Sequence, residues 1–134
     1  MKKDTTIDFS DYLRGFDYQE RLDMKIELKE LLELYAKNEA QIIDIRFHEE
    51  HKAWHVDFID HIPLNELPER LDEIDKSKTI VTVCPHYDRA EIARIYLKLN
   101  GFNARYLTDG MLGMVDYLRG DKARDYINKI KGVK

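Results

Sequence analysis

The single cysteine of the chain, Cys84, lies between a predicted strand and a predicted helix. The preceding run "TIVTV" (79–83) is β-branched almost throughout, which is typical of a central parallel strand buried on both faces. Ligands bind beyond the carboxyl ends of such strands, and the N-terminus of a following helix lowers a thiol pKa. Arg89 adds a permanent positive charge five residues after the sulfur. This placement predicts a reactive thiol at Cys84 in preference to a small core residue.

Two further groups of polar residues could carry chemistry. Asp44 lies in the predicted strand "QIIDIR", where pairing with Arg46 or with a loop N–H is favoured over a catalytic role. His48, His51 and His55 have the i, i+3, i+7 spacing of one helical face. Because no cysteine or clear carboxylate partner accompanies them, a solvated polar face is favoured over a metal site.

Composition limits the class of protein. The 134 residues suffice for one domain with a substantial core, and 43% hydrophobic with 36% charged residues suits a compact fold. The net charge of −4 disfavours nucleic acid and anionic membranes as partners. No apolar run approaches the ~20 residues of a membrane span. A lone cysteine without a visible secretory signal fits a reducing compartment, so we expect a cytoplasmic protein.

Strand and helix patterns alternate along the chain. Strands are predicted at residues 22–26, 41–46, 79–83 and 104–107, and helices at 8–16, 28–40, 64–74, 89–101 and 121–132. The apolar positions that carry three of these predictions are Leu22, Met24 and Ile26 in the first strand, Leu67, Leu71 and Ile74 in the third helix, and Ile92, Ile95, Tyr96 and Leu99 in the fourth helix. The alternation predicts an α/β fold with a small central parallel sheet flanked by helices on both faces.

Four segments, in order along the chain, resemble the rhodanese-like sulfurtransferases. "IIDIR" resembles that family's strand ending in Asp-Val-Arg, and "WHVDFIDHIPL" resembles its Gly-His-Ile-Pro-Gly-Ala segment. "TIVTVCPHYDRA" resembles the strand and active-site loop, and "GFNARYLTDGMLGM" resembles the Gly-Phe…Leu-x-Gly-Gly ending. The resemblance implies a rhodanese-like domain at residues 22–118. It leaves an N-terminal helical extension at 1–21 and a C-terminal helix, 119–134, which we expect to pack on the same domain.

The resemblance also implies a reaction. In this family, backbone N–H groups of the active-site loop surround a sulfur that the cysteine carries as a persulfide. The expected catalytic residues are then Cys84 and Arg89, and the expected substrate-binding residues are Pro85, His86, Tyr87, Asp88 and Ala90. The sulfane sulfur of thiosulfate or a polysulfide would pass through Cys84 to cyanide, a thiol or a protein acceptor. No cofactor and no metal is implied.

The loop itself separates this reaction from its alternatives. Four residues lie between Cys84 and Arg89, as in sulfurtransferases, whereas related phosphatases have five because phosphate is larger than one sulfur. A phosphatase or arsenate reductase therefore ranks third. Tyr87 replaces a common loop glycine, and Asp88 adds a negative charge that repels anionic donors such as thiosulfate. These two residues keep a second alternative open, a binding or redox-sensing module with a slow thiol. His86 is equally compatible with donor contact and with plain exposure.

Overall fold

A five-stranded parallel sheet forms the centre of the molecule, with strand order β1-β5-β4-β2-β3. The computed structural model describes residues 6–133, so predictions for residues 1–5 and 134 lie outside the described part. The strands are β1 (Lys25–Ile26), β2 (Ala40–Asp44), β3 (Asp60–His61), β4 (Thr79–Val83) and β5 (Ala104–Leu107). β4 is the middle strand and pairs with β2 and β5. The predicted parallel sheet is confirmed, and Cys84 follows its central strand.

Helices cover both faces of the sheet, as predicted. Within residues 6–133 they are α1 (Phe9–Arg14), α2 (Tyr18–Asp23), α3 (Leu28–Ala36), α4 (His48–Ala53), α5 (Asp88–Leu99), α6 (Gly110–Tyr117), α7 (Gly120–Lys129) and a 3-10 helix (Leu64–Glu73). Buried residues of α3, α6 and α7 form one core with one face of the sheet. Buried residues of α5 and the 3-10 helix form a second core with the other face. No helix among these residues is long and apolar enough to cross a membrane.

The central strand shows why its sequence is apolar at nearly every position. Val81 and Val83 belong to the core under α3, α6 and α7, whereas Ile80 and Cys84 belong to the core under α5. Thr82 is also buried, and its hydroxyl donates to the carbonyl of Ala90 at 2.8 Å. Burial of a large aliphatic side chain contributes about 1.5–3 kcal/mol, so both cores hold β4 in place.

The predicted strand at residues 22–26 is mostly wrong. The first part of this segment is the end of α2, and β1 contributes only two residues, Lys25 and Ile26. Asp17 caps α2, because its side chain accepts the N–H of Glu20 at 2.9 Å. Leu22 lies on an exposed helical face. The alternating apolar residues thus span a helix end and a short edge strand.

The predicted helix α5 is present, but its buried residues are not the apolar positions that indicated it. The buried residues of α5 are Ala90, Ala93, Arg94 and Leu97, whereas Ile92 is exposed. Arg94 takes an inward position because its charge is satisfied there. Its guanidinium donates to the carbonyl of Ala104 at 2.8 Å, to the hydroxyl of Tyr12 at 2.9 Å and to the carboxylate of Glu20 at 2.6 Å. These bonds join α1 and α2 to α5.

In the segment after Pro63, the residues that were predicted to face the core do so, but the helix is a 3-10 helix. Leu67 and Ile74 are buried, and Leu71 packs against the same core. The segment is a 3-10 helix with a kink at Arg70. Pro68 lies inside it, and a proline removes a backbone donor and disfavours a continuous α-helix.

Candidate active site

Cys84 lies in a short loop between the central strand and α5. β4 ends at Val83 and α5 begins at Asp88, so the two elements fix both ends of the loop. Cys84 has none of its surface exposed and packs in the core under α5. It therefore combines the space-filling position of a core cysteine with a position at the carboxyl edge of the sheet.

The sulfur of Cys84 is surrounded by backbone donors and one carboxylate. The N–H of Ala90 donates to Sγ at 3.4 Å, and the backbone N–H groups of Arg89 and His86 also act on the sulfur by lowering the pKa of the thiol. The thiol donates to Oδ1 of Asp88 at 3.7 Å. This arrangement suits a thiol in the resting state and also an anionic sulfur, because the N–H groups stabilise negative charge.

The pKa of the Cys84 thiol is raised, which contradicts the prediction of a lowered value. Burial is the largest cause, and the negative charge of Asp88 acts in the same direction. The backbone N–H groups of Ala90, Arg89 and His86 act in the opposite direction but do not outweigh burial. The resting thiol is consequently protonated at neutral pH, and its reaction as a nucleophile requires a proton acceptor.

Arg89 is held by a carboxylate from another element. Its two terminal nitrogens donate to the two oxygens of Glu50 at 2.7 and 2.8 Å. Glu50 lies in α4 and also accepts the N–H of Phe47 at 3.1 Å. The hydrogen bonds from Arg89 lower the pKa of Glu50 to about 2. Glu50 was not among the predicted site residues, and the only local signal for it is its place in the first turn of a helix, where an acidic side chain is favoured.

The N-terminus of α6 is hydrogen-bonded to the loop that carries Cys84. The N–H of Met111 donates to the carbonyl of Cys84 at 2.8 Å, and the N–H of Leu112 donates to the carbonyl of Pro85 at 3.2 Å. Gly110 precedes them with φ +69°, and a Cβ there would lie 2.3 Å from the carbonyl oxygens of Pro85 and His86. Only glycine fits this close approach. From the sequence, Gly110 was noted only as one residue of the segment "GFNARYLTDGMLGM", with no role of its own.

The predicted substrate-binding residues of the loop differ in how far they are exposed to solvent. Pro85 is half-buried, Ala90 is buried, and His86, Tyr87 and Asp88 are exposed. Tyr87 has a negative φ of −153°. The loop therefore accommodates tyrosine without the positive φ for which a glycine would be needed.

Asp44 and Arg46 form a buried ion pair behind the loop. The guanidinium of Arg46 donates to both carboxylate oxygens of Asp44, the shortest contact being 2.8 Å, and it also donates to the carbonyl of Trp54 at 2.8 Å. Both side chains are almost wholly buried. The predicted structural pairing of Asp44 with Arg46 is confirmed.

Four histidines gather beside α4 without forming a metal centre. The ring of His51 stacks on those of His55 and His61, each with a centroid distance of 4.0 Å, and His48 hydrogen-bonds to Glu66 at 2.5 Å. Parallel stacked rings direct their nitrogens side by side and not toward one point. In residues 6–133, no group of three or more His, Cys, Asp or Glu side chains could hold a metal ion.

Comparison with known proteins identifies relatives of this chain. A tRNA uridine(34) hydroxylase of Buchnera aphidicola is 26% identical over 113 residues, which are 80% of this chain and 36% of that protein. A putative sulfur carrier protein of Bacillus subtilis, YrkF, is 34% identical over 61 residues, which are 46% of this chain and 33% of that protein. The chain thus spans about a third of the length of these curated relatives.

The structural comparison points to the same fold. The human single-domain sulfurtransferase TSTD1 superposes with a TM-score of 0.61 at 21% identity, over 69% of this chain and 96% of that one. The family model described as Rhodanese-like domain matches residues 27–116, which include β2, β4, the Cys84 loop and α5. This chain belongs to the rhodanese-like domain family.

Proposed function

We propose that the protein is a sulfurtransferase or sulfur carrier that holds a sulfane sulfur as a persulfide on Cys84. The observation that carries this proposal is the backbone N–H of Ala90, which donates to Sγ at 3.4 Å, together with the N–H groups of Arg89 and His86, which also lower the pKa of the thiol. A persulfide bears its negative charge on the terminal sulfur, beside the position that Sγ occupies in the resting thiol. Preorganised N–H groups stabilise such a charge without reorganisation.

In the proposed reaction, Cys84 acts as the nucleophile and Arg89 keeps the loop in shape. The Cys84 thiolate attacks the sulfane sulfur of the donor, a new S–S bond forms, and the donor's own S–S bond breaks. An acceptor thiol or cyanide then attacks the terminal sulfur and releases the Cys84 thiolate. The guanidinium of Arg89 is already bound by the carboxylate of Glu50. We therefore propose that Arg89 positions the backbone N–H groups of the loop and does not contact the substrate.

Access to the sulfur requires the loop to open. Cys84 has no exposed surface, whereas His86, Tyr87 and Asp88 are exposed directly outside it. A donor therefore meets these three side chains first, and with Pro85 and Ala90 they are the proposed substrate-binding residues. The donor is thiosulfate or a polysulfide in this proposal, and the acceptor is a thiol, cyanide or a protein.

The proposed domain boundaries place the functional domain at residues 22–118. We propose this segment as the rhodanese-like domain, with the helices before it as an extension and α7 as a helix packed on the same domain. The hydroxyl of Tyr126 in α7 donates to the carbonyl of Leu32 at 2.8 Å, which supports the packing of α7. We propose the cytoplasm as the compartment, because a persulfide carrier needs a reduced thiol.

A binding or redox-sensing module is the second candidate. The raised pKa and complete burial of Cys84 favour it, because a protonated, buried thiol reacts slowly. A binding module predicts that partner retention is unaffected in Cys84→Ser. Sulfur transfer predicts that the same variant loses function.

The test is the intact mass of the reduced protein after exposure to thiosulfate or, separately, to polysulfide. We expect a gain of one sulfur that cyanide removes and that Cys84→Ser does not show. If neither donor adds sulfur while Cys84 still reacts with an alkylating reagent, the sulfurtransferase proposal is wrong. The binding or redox-sensing function would then be preferred.

A further inference from the structure

Asp88 is the charged side chain in contact with the thiol of Cys84, at 3.7 Å between Oδ1 and Sγ. It begins α5 and is exposed, so it can contact both the sulfur and an incoming donor. In the part of the chain that the structure describes, Asp88 makes no ion pair within 4.0 Å. The adjacent Arg89 does not compensate its charge, because Glu50 binds that guanidinium at 2.7 and 2.8 Å.

We propose that Asp88 carries the proton of Cys84 during sulfur transfer and thereby makes an alkyl hydropersulfide, R–S–SH, the preferred donor over thiosulfate. This inference rests on the proposed sulfur transfer through Cys84. It adds a catalytic role for a neighbouring residue and narrows the donor to one chemical class.

The proposed step balances in atoms and charge. The Cys84 thiol gives its proton to the Asp88 carboxylate, and its sulfur forms a bond to the terminal sulfur of R–S–SH. The S–S bond of the donor breaks, and the leaving R–S⁻ takes the proton from Asp88. The sum is Cys84–SH + R–S–SH → Cys84–S–SH + R–SH. The Cys84 sulfur is oxidised as it joins the new S–S bond, and the carbon-bound sulfur of the donor is reduced to a thiol.

Proton transfer matters more for this donor than for thiosulfate. An alkyl thiolate is the conjugate base of a thiol with a pKa of about 8.5, so at neutral pH it leaves more readily when it is protonated. The burial of Cys84 disfavours its thiolate, which makes an adjacent acceptor necessary for attack. Thiosulfate instead releases sulfite, a weaker base that leaves without a proton.

The negative charge of Asp88 also disfavours the approach of thiosulfate to the Cys84 sulfur. Thiosulfate is a dianion, and it would approach the sulfur past the carboxylate of Asp88. Cysteine hydropersulfide, which carries an ammonium group as well as a carboxylate, has a smaller net negative charge than the thiosulfate dianion. Because Asp88 is exposed, water and salt weaken the repulsion, and we expect an effect of about tenfold in rate.

The test compares Asp88→Asn with Asp88→Glu and with Asp121→Asn. Asp121→Asn makes the same charge change on α7, where the side chain is 87% exposed and pairs with Arg124. The rate of sulfur gain on Cys84 is measured by intact mass with cysteine hydropersulfide and with thiosulfate. A second readout is the ratio of alkylation rates with anionic iodoacetate and neutral iodoacetamide, which needs no sulfur transfer.

We expect Asp88→Asn to slow loading from cysteine hydropersulfide about tenfold and to leave loading from thiosulfate close to wild type, because for thiosulfate the loss of the proton acceptor is offset by the loss of repulsion. The iodoacetate-to-iodoacetamide ratio should rise severalfold, while Asp88→Glu and Asp121→Asn stay close to wild type. Equal changes with both donors, or none, would overturn the proposal while leaving sulfur transfer intact. Absence of loading by either donor in every variant would overturn the proposed function as well, and the alkylation ratio would still report on the charge of Asp88.

Discussion

Glu50 on α4 binds both terminal nitrogens of Arg89, at 2.7 and 2.8 Å, and so joins the helix after β2 to the loop after β4. The two side chains are about one-third exposed, 34% for Glu50 and 28% for Arg89. The pair therefore contributes through geometry more than through energy. It fixes the side chain of Arg89, whose backbone N–H lowers the pKa of the Cys84 thiol and whose neighbour Ala90 donates its N–H to the sulfur.

Glu50→Gln should reduce sulfur loading of Cys84 about tenfold and lower the free energy of unfolding by only about 1 kcal/mol. The amide keeps the shape of the carboxylate but not its charge, so Arg89 loses its bidentate partner. Loading is measured by intact mass and stability by urea unfolding. Glu49→Gln, an exposed neighbour in the same helix, is the control and should change neither quantity.

The same pair predicts a pH dependence of stability. The pKa of Glu50 is lowered to about 2 by the hydrogen bonds from Arg89, from an ordinary value of 4.5. A lowered carboxyl pKa stabilises the fold above the ordinary value, and this contribution is lost as pH falls toward 2. The stability difference between wild type and Glu50→Gln should thus shrink between about pH 5 and pH 2. A constant difference over this range would contradict the assigned ion pair.

Gly110→Ala should unfold the loop region, because a Cβ would lie 2.3 Å from two backbone carbonyl oxygens of the loop at a φ of +69°. Clash and strain together should cost about 3–5 kcal/mol. Gly120→Ala separates the two causes, because Gly120 has φ +52° with nothing within 4 Å of the added atom. It should cost about 1 kcal/mol. Equal costs in urea unfolding would show that the loop yields to the added methyl group.

The Cys84 thiol should ionise at a higher pH than an ordinary thiol. Burial raises its pKa, and the charge of Asp88 adds to this effect. Because only the thiolate is alkylated, the rate with iodoacetamide should still be rising at a pH where an unfolded sample has reached its plateau. The measurement is the pH of half-maximal rate, with and without urea. A plateau already at neutral pH would mean that the backbone N–H groups outweigh burial.

The position of Cys84 could be predicted because a β-branched central strand and the following helix are local patterns. The partner of Arg89 could not be predicted, since Glu50 lies 39 residues away in the chain and its role depends on how α4 packs beside the loop. The direction of the thiol pKa was wrong for a similar reason. Spacing reveals the N–H donors of a helix start, but it does not reveal that the sulfur is completely buried.

The N-terminal helices could be predicted only in part, because their contacts with the domain involve residues that are distant in the chain. The amphipathic pattern of α1 is local, whereas the alternating apolar residues from Leu22 onward predict a strand where the structure has the end of α2, a helix capped by Asp17. The contact that joins both helices to the domain uses Arg94, a charged residue with 2% exposure on the inner face of α5. A hydrophobic pattern cannot indicate a buried arginine, because its position depends on the partners Tyr12 and Glu20.

The buried contact of Arg94 with Glu20 should therefore show strong coupling. Glu20→Ala leaves the guanidinium without its carboxylate, which should cost about 3 kcal/mol, whereas Glu30→Ala removes an exposed carboxylate 3.9 Å from Arg105 and should cost under about 0.5 kcal/mol. Replacing both partners, with Glu20→Leu and Arg94→Met, should recover most of the loss because no buried charge remains. Urea unfolding of Glu20→Leu, Arg94→Met and the double variant that combines them gives the coupling energy directly. If the losses simply add, α1 and α2 are held to α5 by apolar contacts, and the ion pair is incidental.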